Sequence, residues 1–223
     1  MSGWWVQQVM ETQGFVGLFS RVFWVIGSIV LHELAHGWAA LWQGDDTPRR
    51  LDRMTLNPLV HMGPMSLLVF AIAGIAWGLM PTDPSRYRSR RWGRILVAAA
   101  GPAMNIVLAF ICLTALGAVL AYGDFSKPAT ENLRLFLSIG GIFNVILAVL
   151  NLLPVPPLDG SAILAGLSRP YARLLDHPNA MMVGFGLLII LLVSGLFGVL
   201  WTPLVHVGIA WANLVATLLG APV

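Results

Sequence analysis

Three ionisable side chains fall within five residues at His32-Glu33-Leu34-Ala35-His36. On a helix, positions i and i+4 are about 6 Å apart along the axis and about 40° apart around it. Two imidazoles so placed can close on one tetrahedral Zn²⁺ at roughly 2.0–2.1 Å each. The Glu beside the first His then reaches toward water at the metal rather than the metal itself. The alternatives are a buried polar cluster between helices and a proton relay. The setting favours chemistry: residues 15–43 are otherwise apolar, broken only by Arg21 and these three groups. Ionisable groups inside an apolar span are costly and mark functional sites.

A catalytic zinc site needs a third protein ligand and one open position. Of the ten acidic residues, only Asp159 stands beside an apolar span with unusual backbone chemistry. It follows Asn151-Leu152-Leu153-Pro154-Val155-Pro156-Pro157-Leu158 and precedes Gly160. Three prolines in four residues cannot continue a helix, so the span breaks there. The freed carbonyls need partners, and Asn151 is the candidate to supply one. Gly160 permits a sharp turn beside the acid. Taken alone, Asp159 would read as an exposed loop acid at a Pro-Gly turn.

The elements that must hold these groups are membrane helices. The chain of 223 residues is 57% hydrophobic and 10% charged, with mean hydropathy +0.79. Soluble domains carry about 25% charged residues. An ordinary globular enzyme, a disordered tail and a nucleic-acid binder are thereby excluded, and the net charge of +3 lies in short basic clusters between apolar runs. A single all-α, polytopic membrane domain over 1–223 is expected, with five to six transmembrane helices and a re-entrant element. The spans are placed at 15–43, 95–122, 135–157, 181–200 and 204–220, each near the ~20 residues that cross a bilayer. Trp201-Thr202-Pro203 is the expected turn between the last two. No basic n-region precedes the first span, so no cleavable signal is expected. Cys112 lies alone inside an apolar run and can form no disulfide within the chain.

The stretch 63–80 is uncharged but short, punctuated by Gly63, Pro64, Gly74 and Gly78. It either spans or dips and returns. Arg49, Arg50 and Arg53 precede it, and Arg86, Arg88, Arg90, Arg91 and Arg94 follow. If it returns, ten of the thirteen Lys and Arg residues face the cytoplasm, as the positive-inside rule requires. The re-entrant reading follows. It sends spans 15–43 and 135–157 both from outside to inside, so the two motifs share the cytoplasmic side. His36 then lies seven residues from the end of its span, about 10 Å deep.

The two motifs together resemble the site-2 protease family of intramembrane zinc metalloproteases. Leu56-Asn57-Pro58-Leu59-Val60-His61, Trp77-Gly78 leading to Pro81, and Gly101-Pro102-Ala103-Met104-Asn105 are also similar to minimal bacterial members. The resemblance covers roughly residues 20–170. It implies that His32, His36 and Asp159 hold Zn²⁺, that Glu33 is the catalytic acid/base, and that 63–80 presents substrate. It also implies a multi-pass protein of a bacterial or archaeal membrane. The substrate would be a transmembrane protein met in the lipid bilayer, cleaved from the cytoplasmic side. The chain departs from the family pattern in having no PDZ-sized insertion, which makes it a minimal form, and in carrying Gly63 where an acid often follows His61.

Other polar residues carry plainer readings. Asn105 is either an interhelical hydrogen bonder or a polar group near the reacting carbonyl, and Asn151 supports the Pro-rich loop. His61 is read as structural, His177 as a loop residue, and His206 as satisfied by a neighbouring helix. The alternative function is a metal or proton transporter using the same intramembrane cluster; a zinc-binding scaffold without activity is a third. Transporters usually carry internal repeats or paired broken helices. This sequence has one such break and no repeat, so the protease reading leads. Oligomeric state and substrate identity are not legible.

Overall fold

The computed structural model describes residues 4–221. Among them the order is α1 (Trp5–Trp42), α2 (Thr47–Arg50), α3 (Pro58–Ala73), a 3-10 turn (Pro84–Arg86), α4 (Arg90–Tyr122), α5 (Pro128–Leu152), α6 (Asp159–Leu167), α7 (Arg169–Leu175), α8 (Ala180–Val193) and α9 (Leu196–Leu218). Helices α1, α4 and α5 are long and apolar enough to cross a membrane. They cover 15–42, 95–122 and 135–152 of the expected stretches; the third stops five residues early, at Leu152, ahead of the prolines. Helices α7 and α8 form a pair bent by 95° that can count as one broken span. The protein is an all-α polytopic membrane protein.

Helix α4 is the hub, packing against α1, α5, α6 and α9. Trp24 on α1 donates its indole N–H to Phe136 O of α5 at 2.9 Å, within a cluster that includes Phe19 and Phe23. Helix α1 leaves helical geometry at Gly14 (φ 65°), which sets off 5–13 as an arm ahead of the span proper. That arm serves the end of α3. The last carbonyls of a helix have no partner within it. Here Trp4 Nε1 donates to Ala71 O and Ile72 O, and Trp5 Nε1 donates to Ala71 O.

The stretch 63–80 is part helix, part extended chain. Helix α3 kinks at Gly63 and stops at Gly74, which caps it in the left-handed region (φ 72°). Residues 75–82 then run back beside it without helical structure. Leu79 N donates to His61 O at 3.0 Å, so the returning chain is level with the start of α3. The flanking loops meet as well. Asp83 N donates to Asp45 Oδ2 at 2.7 Å, Arg88 N to Gln43 O at 2.7 Å, and Arg86 Nη1 to Asp46 Oδ1 at 2.9 Å. The chain therefore comes back to the end of α1 from which it left. At this rim Ser85, by side-chain and backbone donation, and then Arg86 hold the Asp83 carboxyl below its ordinary range.

One boundary differs from the sequence expectation. The final break falls at Ser194–Gly195, where Gly195 adopts φ 76°, and α9 continues through Trp201-Thr202-Pro203. A proline is compatible with a helix when neighbouring contacts absorb the lost bond, and here it is Gly195, in the left-handed region, that separates α8 from α9.

Candidate metal centre

Helix α1 delivers His32, Glu33 and His36 to the interior, each less than 9% exposed. The i, i+4 spacing puts both imidazoles on one face, with Nε2 atoms 3.0 Å apart. Asp159 arrives from the other end of the fold as the first residue of α6. Its Oδ2 lies 3.1 Å from His32 Nε2 and its Oδ1 3.4 Å from His36 Nε2. Among the described residues this is the one group of three whose ligand atoms converge, all within 4.8 Å of one another.

The break that presents Asp159 is built as the prolines require. Helix α5 stops at Leu152, and the peptide between Pro156 and Pro157 is cis. Tyr171 Oη donates to Pro154 O at 2.8 Å and Ser161 Oγ to Leu158 O at 2.7 Å. These side chains, not Asn151, satisfy the loop's carbonyls. Asn151 instead donates from Nδ2 to Leu147 O at 3.0 Å, one turn back in α5, and lines the cavity beside the cluster. Gly160 sits so close to the end of α5 that a Cβ there would lie 2.2 Å from Leu152 O. Only a residue without a side chain allows this approach.

The far nitrogens of both histidines are anchored. His36 Nδ1 lies 2.7 Å from Val97 O, which can only accept, so Nδ1 carries a proton and the neutral ring keeps its lone pair at Nε2. For His32 the assignment runs through two amides. Gly140 O accepts from Asn144 Nδ2 at 2.9 Å, and Asn144 Oδ1 accepts from Asn105 Nδ2 at 2.9 Å. Asn105 Oδ1 is thereby left to accept from His32 Nδ1 at 2.7 Å. A backbone carbonyl thus fixes both amide orientations and the tautomer of His32. Such outer partners orient metal ligands and raise their basicity. Asn105 and Asn144 are fully buried, and Asn105 lies behind His32 rather than on the cavity wall. Asn144 did not stand out in the sequence, since a single Asn in an apolar run has no local signature.

With both imidazoles neutral, two lone pairs and a carboxylate face one another, a donor set that a metal cation among its members would hold together. A cradle for one exists: a Cβ built on Gly101 of α4 would fall 2.4 Å from His36 Nε2 and 2.5 Å from His32 Nε2. The bare backbone at Gly101 keeps this space open. Zn²⁺ with N and O ligands at about 2.0–2.2 Å fits the donor set.

Glu33 borders the same cavity, of about 470 Å³, with His32, His36, Gly78, Met80, Asn151 and Asp159 among its lining. Its carboxylate packs on the returning chain, where a Cβ at Gly78 would lie 2.5 Å from Glu33 Oε1. The remaining histidines are elsewhere. His61 is buried with Nε2 2.7 Å from Thr55 O, and His177 Nδ1 accepts from Asn179 N at 3.2 Å in an exposed loop. His206 lies on the exposed face of α9, not against a neighbouring helix as expected.

Comparison with known proteins agrees with this geometry. The sequence model of peptidase family M50 matches residues 21–127 and 115–193. YwhC of Bacillus subtilis (strain 168), which bears the name of a zinc metalloprotease, is 35% identical over 189 residues, covering 84% of this chain and 86% of its own. Rip2 of Mycolicibacterium smegmatis, similarly named, is 31% identical over 202 residues, covering 86% of this chain and 73% of its own. The zinc metalloprotease MJ0392 of Methanocaldococcus jannaschii is 26% identical over 184 residues, 79% of this chain and 44% of its own. No solved structure matches significantly. The chain belongs to peptidase family M50, the site-2 protease family. It is an integral-membrane zinc metalloprotease.

Proposed function

We propose that this protease hydrolyses peptide bonds in or near the transmembrane segments of membrane-protein substrates. The site would open toward the cytoplasm of a bacterial or archaeal cell. His32, His36 and Asp159 would hold the zinc and Glu33 would carry the proton. One observation supports this most: the cluster is buried on a membrane-length helix, with His36 six residues short of its end at Trp42, about 9 Å by helical rise. A site so placed meets membrane segments more readily than soluble peptides. The orientation rests on Arg49, Arg50 and Arg53, in and just after α2, and on Arg86, Arg88 and Arg90, around the 3-10 turn and the start of α4; Arg50 and Arg86 meet at Asp46.

Zinc, when bound, supplies Lewis acidity that polarises a carbonyl and activates water. The chain's own residues do the rest. Val97 O and the Asn105–Asn144 pair hold the imidazoles with their Nε2 lone pairs inward. A Glu33 carboxylate oxygen accepts the proton of the attacking water and returns it to the leaving amine nitrogen. The cavity admits water and an unwound stretch of substrate. A helical substrate hides its scissile carbonyl in an i→i−4 bond and must open locally. The extended chain at 75–82 offers it backbone groups to pair with, as in strand addition.

Glu33→Gln tests the assignment. The variant should keep about one zinc per chain while cleavage of a membrane-helix peptide in proteoliposomes falls roughly 10²–10⁴-fold. Cleavage at the parental rate would remove Glu33 from the chemistry. A parental protein that carries metal across liposomes and cuts no peptide would replace the protease reading with a transporter.

A further inference from the structure

The returning chain is held in a way that a helix-packed loop does not require. Ser66 on α3, fully buried, donates from Oγ to Trp77 O at 2.7 Å and accepts from Trp77 N at 2.9 Å. One hydroxyl thus occupies both backbone groups of one residue, as a neighbouring strand would in a sheet. Two residues on, Leu79 N donates to His61 O. In an extended chain the backbone groups of residues i and i+2 point one way and those of i+1 the other. The side chains alternate accordingly: Ile75, Trp77 and Leu79 are 54%, 47% and 63% exposed, whereas Met80 is 7% exposed. Gly78 packs on Glu33, and Met80 lies over Gly37 one turn further along α1.

The edge bearing Trp77 and Leu79 is therefore occupied by α3. The opposite edge carries the N–H and C=O of Gly78 and Met80, and no hydrogen bond among the described residues uses them. Both residues border the cavity that contains His32 and Glu33.

From this arrangement we infer that Ser66 is a positioning residue that stands in for an inner strand and fixes the register of substrate: the substrate backbone pairs with Gly78 and Met80, and not with Trp77 or Leu79. The inference rests on the protease reading above. Because a paired strand offers alternate residues to its partner, only every second substrate residue would bond to this edge. The bonds are to backbone, so the register is set with little dependence on substrate side chains. Removing the Ser66 hydroxyl frees Trp77 to turn over and puts the other set of groups on the open edge.

Two measurements test this. In the first, the parental protein in proteoliposomes receives membrane-helix peptides in which single backbone amides near the cut site are replaced by esters, one position at a time. Cleavage should slow about 2- to 10-fold at alternate positions, the net weight of one hydrogen bond, and little between them. A flat or non-alternating profile from a parental protein that cuts the all-amide peptide overturns the register while leaving the protease reading intact. Failure to cut the all-amide peptide defeats the protease reading, and the inference with it. In the second, Ser66→Ala should keep one zinc per chain, raise KM more than it lowers kcat and yield additional cut positions by mass spectrometry. Ser66→Thr, which retains the hydroxyl, should restore the single cut. Unchanged KM and cut position in zinc-loaded Ser66→Ala would overturn the role of Ser66.

Discussion

Two walls of the cavity are built on opposite principles. On the α1–α4–α5 side every hydrogen bond leads back to a main-chain carbonyl: Val97 O behind His36, and Gly140 O behind Asn144, Asn105 and His32. On the other side, the returning chain is tied to α3 at Trp77 and Leu79 and leaves its Gly78 and Met80 groups open. In the proposed site the first wall holds two of the three zinc ligands, His32 and His36, in place through a chain of fixed partners, while Asp159 comes from the start of α6. The second, in the proposed function, would receive a substrate chain of changing sequence, for which unpaired backbone is the neutral choice. Precision and permissiveness are thus divided between packed helices and a single extended segment, and Glu33 sits where the two meet.

The largest effects should come from removing the proposed ligands, on the first wall and on α6, or the space between them. His32→Ala and Asp159→Ala should each lose zinc by metal analysis and cleave no faster than background. Gly101→Ala should do the same, because its methyl would fill the space between the two imidazoles. Full zinc occupancy in Asp159→Ala would take that residue out of the site. Gly78→Ala touches the meeting point. Its Cβ would displace the Glu33 carboxylate, so kcat should fall about 10²-fold with zinc retained, the cost of a misplacement near 1 Å. Equal kcat in Gly78→Ala would show that Glu33 tolerates a shifted neighbour.

Weaker effects sharpen the same contrast. Asn144→Leu removes the anchor of the amide chain without touching a ligand. It should weaken zinc affinity about 10- to 100-fold in a chelator competition. An unchanged affinity would reduce the asparagine pair to helix packing. The smallest perturbation probes only topology. In a Cys112→Ala background, single cysteines replacing Thr47, Ser89 and Arg173 should label from one face and a cysteine replacing Ser126 from the other, with activity near parental. Labelling of the Thr47 and Ser89 replacements from opposite faces would make 63–80 a span and contradict the loop contacts at Asp45 and Asp46.

The sequence determined what helical geometry and hydropathy dictate locally. His32 and His36 share a face because of their i, i+4 spacing, and two of the three long helices, α4 and α5, follow the uncharged runs 95–123 and 135–158. The prolines after Asn151 force the break from which Asp159 starts α6. Tertiary structure decided the rest. Asn144 and Ser66 are ordinary residues for an apolar helix, and Gly101 stands in a family-like stretch with no role legible there; their importance comes from what crosses to them from 39, 11 and 65 positions away. The division of the last apolar run also escaped the sequence, because Gly195 breaks the path and Pro203 does not. Local periodicity fixes which side of a helix a residue occupies. Which neighbour it meets there depends on how helices pack, and a carbonyl that fixes a tautomer or a bare Cα that makes room for an ion is a property of that packing alone.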